Sequence, residues 1–145
     1  MRFATSAAAF AGLVFSFASY GQSAGGKPHF VDGNKGAPLL RQVVRSAQPK
    51  PSFNRVYSQS FVACGTGCGS YWFYDRSTGA IIETPDESRD DESISDVRTT
   101  ISSPIVTIIY GPRDGVGSNC SARRYRMVGY KFQPVGGRTS TPCPS

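Results

Sequence analysis

Apolar and polar residues alternate with a period of two over much of the chain beyond residue 53, and that alternation predicts strands. Tyr57-Ser58-Gln59-Ser60-Phe61-Val62-Ala63 is the first such run. Tyr71-Trp72-Phe73-Tyr74 follows, with Tyr71 and Phe73 on one face and Trp72 and Tyr74 on the other. Asp75–Gly79 carries turn residues, with Gly79 free to take positive φ, and Ala80-Ile81-Ile82-Glu83-Thr84 returns until Pro85 stops it. Ile105–Tyr110 is apolar on both faces, which marks a central strand. Arg124–Val128 and Tyr130–Pro134 read as a last hairpin about Gly129.

The period changes once. Pro38-Leu39-Leu40-Arg41-Gln42-Val43-Val44-Arg45 spaces its apolar residues as a helix does, with Pro38 suited to the first turn and Pro49 and Pro51 beyond the end. Residues 22–35 lack a period and are expected to be loose. Residues 86–96 are too charged for a core and are expected to form an exposed loop. Gly111–Ser118 is a second loop, and the tail 136–145, rich in Ser, Thr, Pro and Gly, is held only by Cys143.

These elements predict a mainly β fold: a small antiparallel meander of five or six strands with one short N-terminal helix. The expected organisation is an export signal over 1–21, a loose segment with the short helix over 22–51, a β domain over 52–135 and a disulfide-tied tail over 136–145. The candidate core is Phe61, Phe73, Ile81, Val106, Ile108, Tyr125, Met127 and Phe132.

The signal reading rests on Arg2, the apolar run Ala7–Ala18, and small residues Ser19 and Gly21 before a cut after Gly21; a cut after Ala18 fits nearly as well. The run is too short to cross the roughly 30 Å of a bilayer core, so no membrane attachment is expected once it is removed. Export changes how the four cysteines are read. In an oxidising compartment an even count implies disulfides, and of the three pairings Cys64–Cys68 with Cys120–Cys143 is favoured, because Gly65 and Gly67 let a small ring close. Loop closure assigns about 2 kcal/mol to the small ring and about 3.4 kcal/mol to the larger one. Zinc would need further ligands beside Cys64 and Cys68, and the only histidine is His29. No metal or other cofactor is expected.

The formal net charge is +6, unevenly distributed. Glu83, Asp86, Glu87, Asp90, Asp91, Glu92 and Asp96 crowd one segment, whereas Arg113, Arg123, Arg124, Arg126, Lys131 and Arg138 occupy the C-terminal part. Such segregation suits either an anionic partner or internal neutralisation, with the acidic segment lying beside the basic strand, and the second is the expectation.

Phe53-x3-Tyr57-x6-Cys64-Gly65-Thr66-Gly67-Cys68, then Asp75-x-x-Thr78-Gly79, resembles a family of small exported bacterial proteins of unknown function. That family shows Phe-Ala-Gly-His-Tyr, then Trp-Gly-Cys-Gly-Thr-x-Cys, Asp-x-Lys-Thr-Gly, a late strand ending in glycine and an aromatic final hairpin. Ile105–Gly111 and Tyr125–Phe132 are similar to the last two parts, so the resemblance spans roughly 53–133. It departs at Asn54, Arg55 and Val56, where the family has Ala-Gly-His, and at Val62 and Ala63, where it has Trp-Gly. The resemblance implies export and fold, and carries no known chemistry.

Catalytic constellations are thin. A cysteine nucleophile lacks a nearby base, and a redox disulfide usually spaces its cysteines by two residues and leads a helix. Asp75 and Glu83 are the nearest approach to a paired-carboxylate hydrolase, but Asp75 is placed to cap its turn. The acidic run lacks a calcium-loop spacing and has Arg89 within it. Nucleic acid is not an expected partner, since Tyr125 opposes Arg124 and Arg126 on their strand. The expected function is therefore a periplasmic or secreted, non-enzymatic protein-binding module, inhibitor or immunity-type, with an envelope glycan binder or a minor hydrolase or redox activity as the alternative. Two candidate surfaces are Trp72 with Tyr74, as an exposed aromatic patch, and Arg124 with Arg126. The aromatic pair is slightly favoured.

Overall fold

The computed structural model describes residues 25–65 and 68–144. The export signal expected over 1–21 lies outside them, as do Thr66 and Gly67 of the cysteine turn. Eight strands and one helix follow in the order β1 (His29–Phe30), α1 (Ala37–Ser46), β2 (Tyr57–Gly65), β3 (Cys68–Asp75), β4 (Ala80–Glu83), β5 (Glu92–Arg98), β6 (Ile105–Pro112), β7 (Asn119–Val128) and β8 (Lys131–Pro142). They form two four-stranded sheets, ordered β1-β4-β3-β2 and β5-β6-β7-β8. The expected mainly β fold with one short helix is present, but with eight strands in two stacked sheets instead of one meander of five or six: β5–β8 form a meander, and β2–β4 form another to which β1 adds in parallel beside β4. All pairs are antiparallel except β1 with β4.

Three expectations are corrected. Residues 25–35 are not loose: Gly26 N–H donates to the Ser77 carbonyl (2.8 Å), and His29 and Val31 donate to Gly79 and Ile81 along β4. The acidic segment is not wholly a loop, because β5 begins at Glu92. The tail is not held by Cys143 alone, since β8 runs to Pro142 along β7.

The inner faces of the two sheets meet in one core, where Phe53, Tyr57, Phe73 and Ile82 pack against Val97, Val106, Ile108, Tyr110, Tyr125 and Met127. Phe132 sits partly buried at its rim, 5.7 Å from Phe73 between ring centroids. The expected central strand Ile105–Tyr110 is interior to the second sheet, as β6. Phe61, expected in the core, is 48% exposed. Its side chain follows Tyr57 and Gln59 on the inner face but lies beyond the reach of the second sheet, against Tyr71 (4.8 Å between ring centroids) and over Gly69.

A second core lies on the other face of the first sheet. Leu39, Leu40, Val43 and Val44 of α1 lie over Val62, Trp72, Tyr74 and Ile81, with Phe30 beside them. Ile81, predicted for the core, belongs here. The helix is too short to persist alone, so this packing is what holds it. Ser60 Oγ donates to the Val43 carbonyl (2.9 Å), and Arg76 donates to the Ala47 and Gln48 carbonyls just past the helix end. Cationic donors there satisfy carbonyls that the helix leaves open.

Both disulfides have the expected pairing, Cys64–Cys68 at the tip of the β2–β3 hairpin and Cys120–Cys143 tying β7 to the end of β8. Asp75 caps its turn as expected: Oδ1 accepts from the Ser77 N–H and hydroxyl (2.8 and 2.6 Å), and Oδ2 from the Thr78 hydroxyl (2.9 Å). Burial alone would raise its pKa, but these bonds outweigh burial and hold the carboxyl below its ordinary value.

Candidate functional site

Strand parity divides the basic residues of β7 and β8 into two groups. Val106 pairs with Tyr125 and Ile108 with Arg123, so Arg123 points inward with Tyr125 and the core. Thr107 pairs with Arg124 and Ile105 with Arg126, so those two arginines point to the outer face of the second sheet.

The inward group is neutralised. Arg123 pairs with Glu87 and lies 5.7 Å from the Tyr125 ring. Arg138 sits 4.3 Å over the Tyr110 ring, donates to Glu92 Oε2 at 2.6 Å, and donates to the Glu87 carbonyl. Tyr110 and Tyr125 join through their hydroxyls (3.3 Å), and the Glu87 N–H donates to Tyr110. Burial works to raise the Glu92 pKa, but the Arg138 hydrogen bond, the Arg89 N–H and the two positive charges bring it below its ordinary value. The same bond raises Arg138, and burial pushes both tyrosines up. The acidic segment therefore lies against the basic strands, as charge segregation suggested, and becomes part of the fold.

The outward group is not neutralised. Arg124 and Arg126 are exposed and make no ion pair with any carboxylate among the described residues. Arg98 joins them across the sheet, because Arg98, Thr107 and Arg124 occupy one cross-strand row. Its Nε donates to Asp96 at 2.9 Å while the side chain stays 58% exposed. Beside this row lies a shallow depression of about 270 Å³ walled by Arg98, Arg124, Thr99, Thr100, Ser103 and Thr107. Guanidinium forks and hydroxyl donors converging on one hollow suit an oxygen anion, which accepts from both.

The chain matches no family model, no curated protein and no solved structure. The outer face has to be read from its own chemistry.

The other candidate surface is withdrawn. Trp72 and Tyr74 are 2% and 6% exposed, covered by α1 and Phe30, whose ring lies 5.3 Å from that of Trp72. Trp72 Nε1 donates to Ser70 Oγ at 2.8 Å, and Lys35 Nζ stands 5.5 Å from the ring. No aromatic patch faces solvent there.

A cleft of about 610 Å³ opens between the end of β4 and the β7–β8 hairpin, with Asp32, Asp86 and Glu83 along one wall and Tyr130, Lys131 and Phe132 along the other. Glu83 pairs with Lys35. Asp75, its suggested partner in hydrolysis, is engaged in its turn. Among the described residues no three His, Cys, Asp or Glu side chains gather to hold a metal. Sequence reasoning missed Arg98 as a member of the basic face, because the first part of its strand, Glu92–Asp96, fell in the segment taken as a loop and residues 97–104 were assigned to no element.

Proposed function

We propose that this chain is an exported domain, periplasmic or secreted, that works by binding rather than catalysis and takes an acidic protein partner on the outer face of its second sheet. The observation that carries the reading is the pair Arg124 and Arg126, exposed and without an ion pair among the described residues, beside a hollow of guanidinium and hydroxyl donors. Two disulfides in a small β domain support export, and an exposed basic sheet face suits an inhibitor or immunity-type protein that blocks an acidic partner. The resemblance to small exported bacterial proteins belongs to the same reading. Where that family has glycine, Arg55 holds φ 64°, a backbone that favours glycine.

The test is capture from an envelope extract on immobilised wild-type protein and on the charge-reversed R124E/R126E variant. A partner retained by the first and lost by the second supports the proposal. Equal retention removes the outer face from the interaction.

A second reading, an envelope glycan, is favoured by the cleft at Tyr130, where an exposed ring and carboxylates could stack on and hydrogen-bond a sugar. Titration with cell-wall oligosaccharides should then give binding that Tyr130→Ala abolishes.

A further inference from the structure

The hollow on the outer face of the second sheet is walled by hydrogen-bond donors, and no carboxylate among the described residues lines it. β6 lies between β5 and β7, so Arg98 and Arg124 stand one strand away on either side of Thr107, about 9–10 Å apart at the backbone. Arg98 Nε is committed to Asp96 at 2.9 Å, which leaves both Nη groups of that guanidinium without a partner among the described residues. Arg124 makes no ion pair among them.

The remaining wall belongs to the connection between β5 and β6, residues 99–104, and its acceptors are largely used. The Ser103 N–H donates to the Thr100 carbonyl (3.3 Å), the Arg55 N–H to the Ile101 carbonyl (2.6 Å) and the Met127 N–H to the Pro104 carbonyl (2.8 Å). Ser103 Oγ accepts from the Ile105 N–H at 3.0 Å. These bonds pin the connection to the strands and loops around it. The hydroxyls of Thr99, Thr100, Ser103 and Thr107 donate to no acceptor among the described residues, so their protons are free for a ligand. Two guanidiniums flank the hollow, Thr107 lies between them, and the loop hydroxyls close one end.

We infer that this hollow is a binding subsite for a phosphate group. A carboxylate offers two oxygens in one plane, whereas a phosphate offers three acceptor oxygens set tetrahedrally and up to two charges. Donors placed on several sides match the second geometry, and two arginine forks match its charge. A phosphate seated there covers part of the face offered to the acidic partner. The inference does not rest on that partner, because Arg126 lies one row on and outside the hollow, and the hollow alone takes the anion.

The test is a titration of the full disulfide-bonded chain with inorganic phosphate, read by amide chemical shifts at constant ionic strength with chloride as the balancing ion. It needs no captured partner, so its outcome is read apart from that of the proposed function. The expected result is saturable shifts at Thr99, Thr100 and Thr107 with a dissociation constant on the order of 1 mM, and acetate bound roughly fivefold more weakly or worse. R98Q/R124Q should weaken phosphate roughly tenfold or more, and Thr107→Val, which changes no charge, roughly fivefold. Arg126→Gln should leave the affinity within about twofold, since an exposed charge outside the hollow is screened. Phosphatidylcholine vesicles with and without phosphatidic acid separate the two sources of the group. A soluble phosphate is the ligand if inorganic phosphate alone shifts these amides, and a lipid headgroup is the ligand if only the phosphatidic acid vesicles do so and R98Q/R124Q abolishes the effect. No binding to either probe, binding that survives R98Q/R124Q, acetate bound as well as phosphate, or Thr107→Val without effect overturns the inference.

Discussion

Replacing Trp72 by alanine tests whether the aromatic strand is core or contact surface. The ring is 2% exposed and enclosed by Phe30, Lys35 and α1. Burying an aromatic side chain removes about 150–250 Å² from water, which at about 25 cal/mol/Å² corresponds to about 4–6 kcal/mol. Alanine keeps Cβ and the site collapses partly, so measured costs of such truncations run at about 3–5 kcal/mol. Loss of the hydrogen bond to half-buried Ser70 adds no more than about 1 kcal/mol, since water can take its place. A cost of about 4 kcal/mol is expected, against a typical domain stability of about 5–15 kcal/mol. The variant should still fold, with a melting temperature lower by roughly 10–20 °C. Trp72 is the only tryptophan, so unfolding must be followed by circular dichroism. Trp72→Phe should recover most of the loss. A cost under about 1 kcal/mol with partner binding abolished would return Trp72 to the surface and refute the packing of α1 on the first sheet.

Ser58 is fully buried and its hydroxyl has no partner among the described residues, so Ser58→Ala should be neutral or stabilising by up to about 1 kcal/mol in urea unfolding. Asn54 and Arg55 both hold positive φ, and Arg55→Gly should raise stability by about 0.5–1 kcal/mol in the same assay. Glu92 has a folded pKa below its unfolded value, so its contribution is present above the unfolded value, about 4.3, and is lost as pH falls through the lower folded one. Stability measured against pH should decline on the acid side, and Glu92→Gln should flatten that decline.

Several of these features were legible in the sequence. The disulfide pairing, the Asp75 turn, the short helix and the central position of Ile105–Tyr110 follow from spacing and period. The burial of Trp72 and Tyr74 was legible too: Tyr71–Tyr74 has no polar residue on either face, and neither has Ile81-Ile82, which marks a sheet covered on both sides. The covering element was the helix already predicted. β5 was hidden because the bulge between Ile94 and Asp96 breaks its alternation and its charges suggest solvent. β8 was cut short because Gly136-Gly137 resembles an end, whereas the ladder bulges there and resumes. Phe61 is apolar and in phase with the core, and nothing local reveals that the second sheet stops short of it. The separation of Arg123 from Arg124 and Arg126 needed only strand parity; that Glu87 and Glu92 would meet the inward group needed the fold.

The central claim is that recognition runs through the outer arginines, and the salt dependence of association measures it most directly. Exposed charges are screened over about 8 Å at physiological ionic strength. Association of the captured partner should therefore slow by roughly tenfold or more from low to physiological salt. In R124E/R126E the rate should be low throughout and the slope flat or inverted. A wild-type rate indifferent to salt, or a double variant with the same slope, would contradict the account.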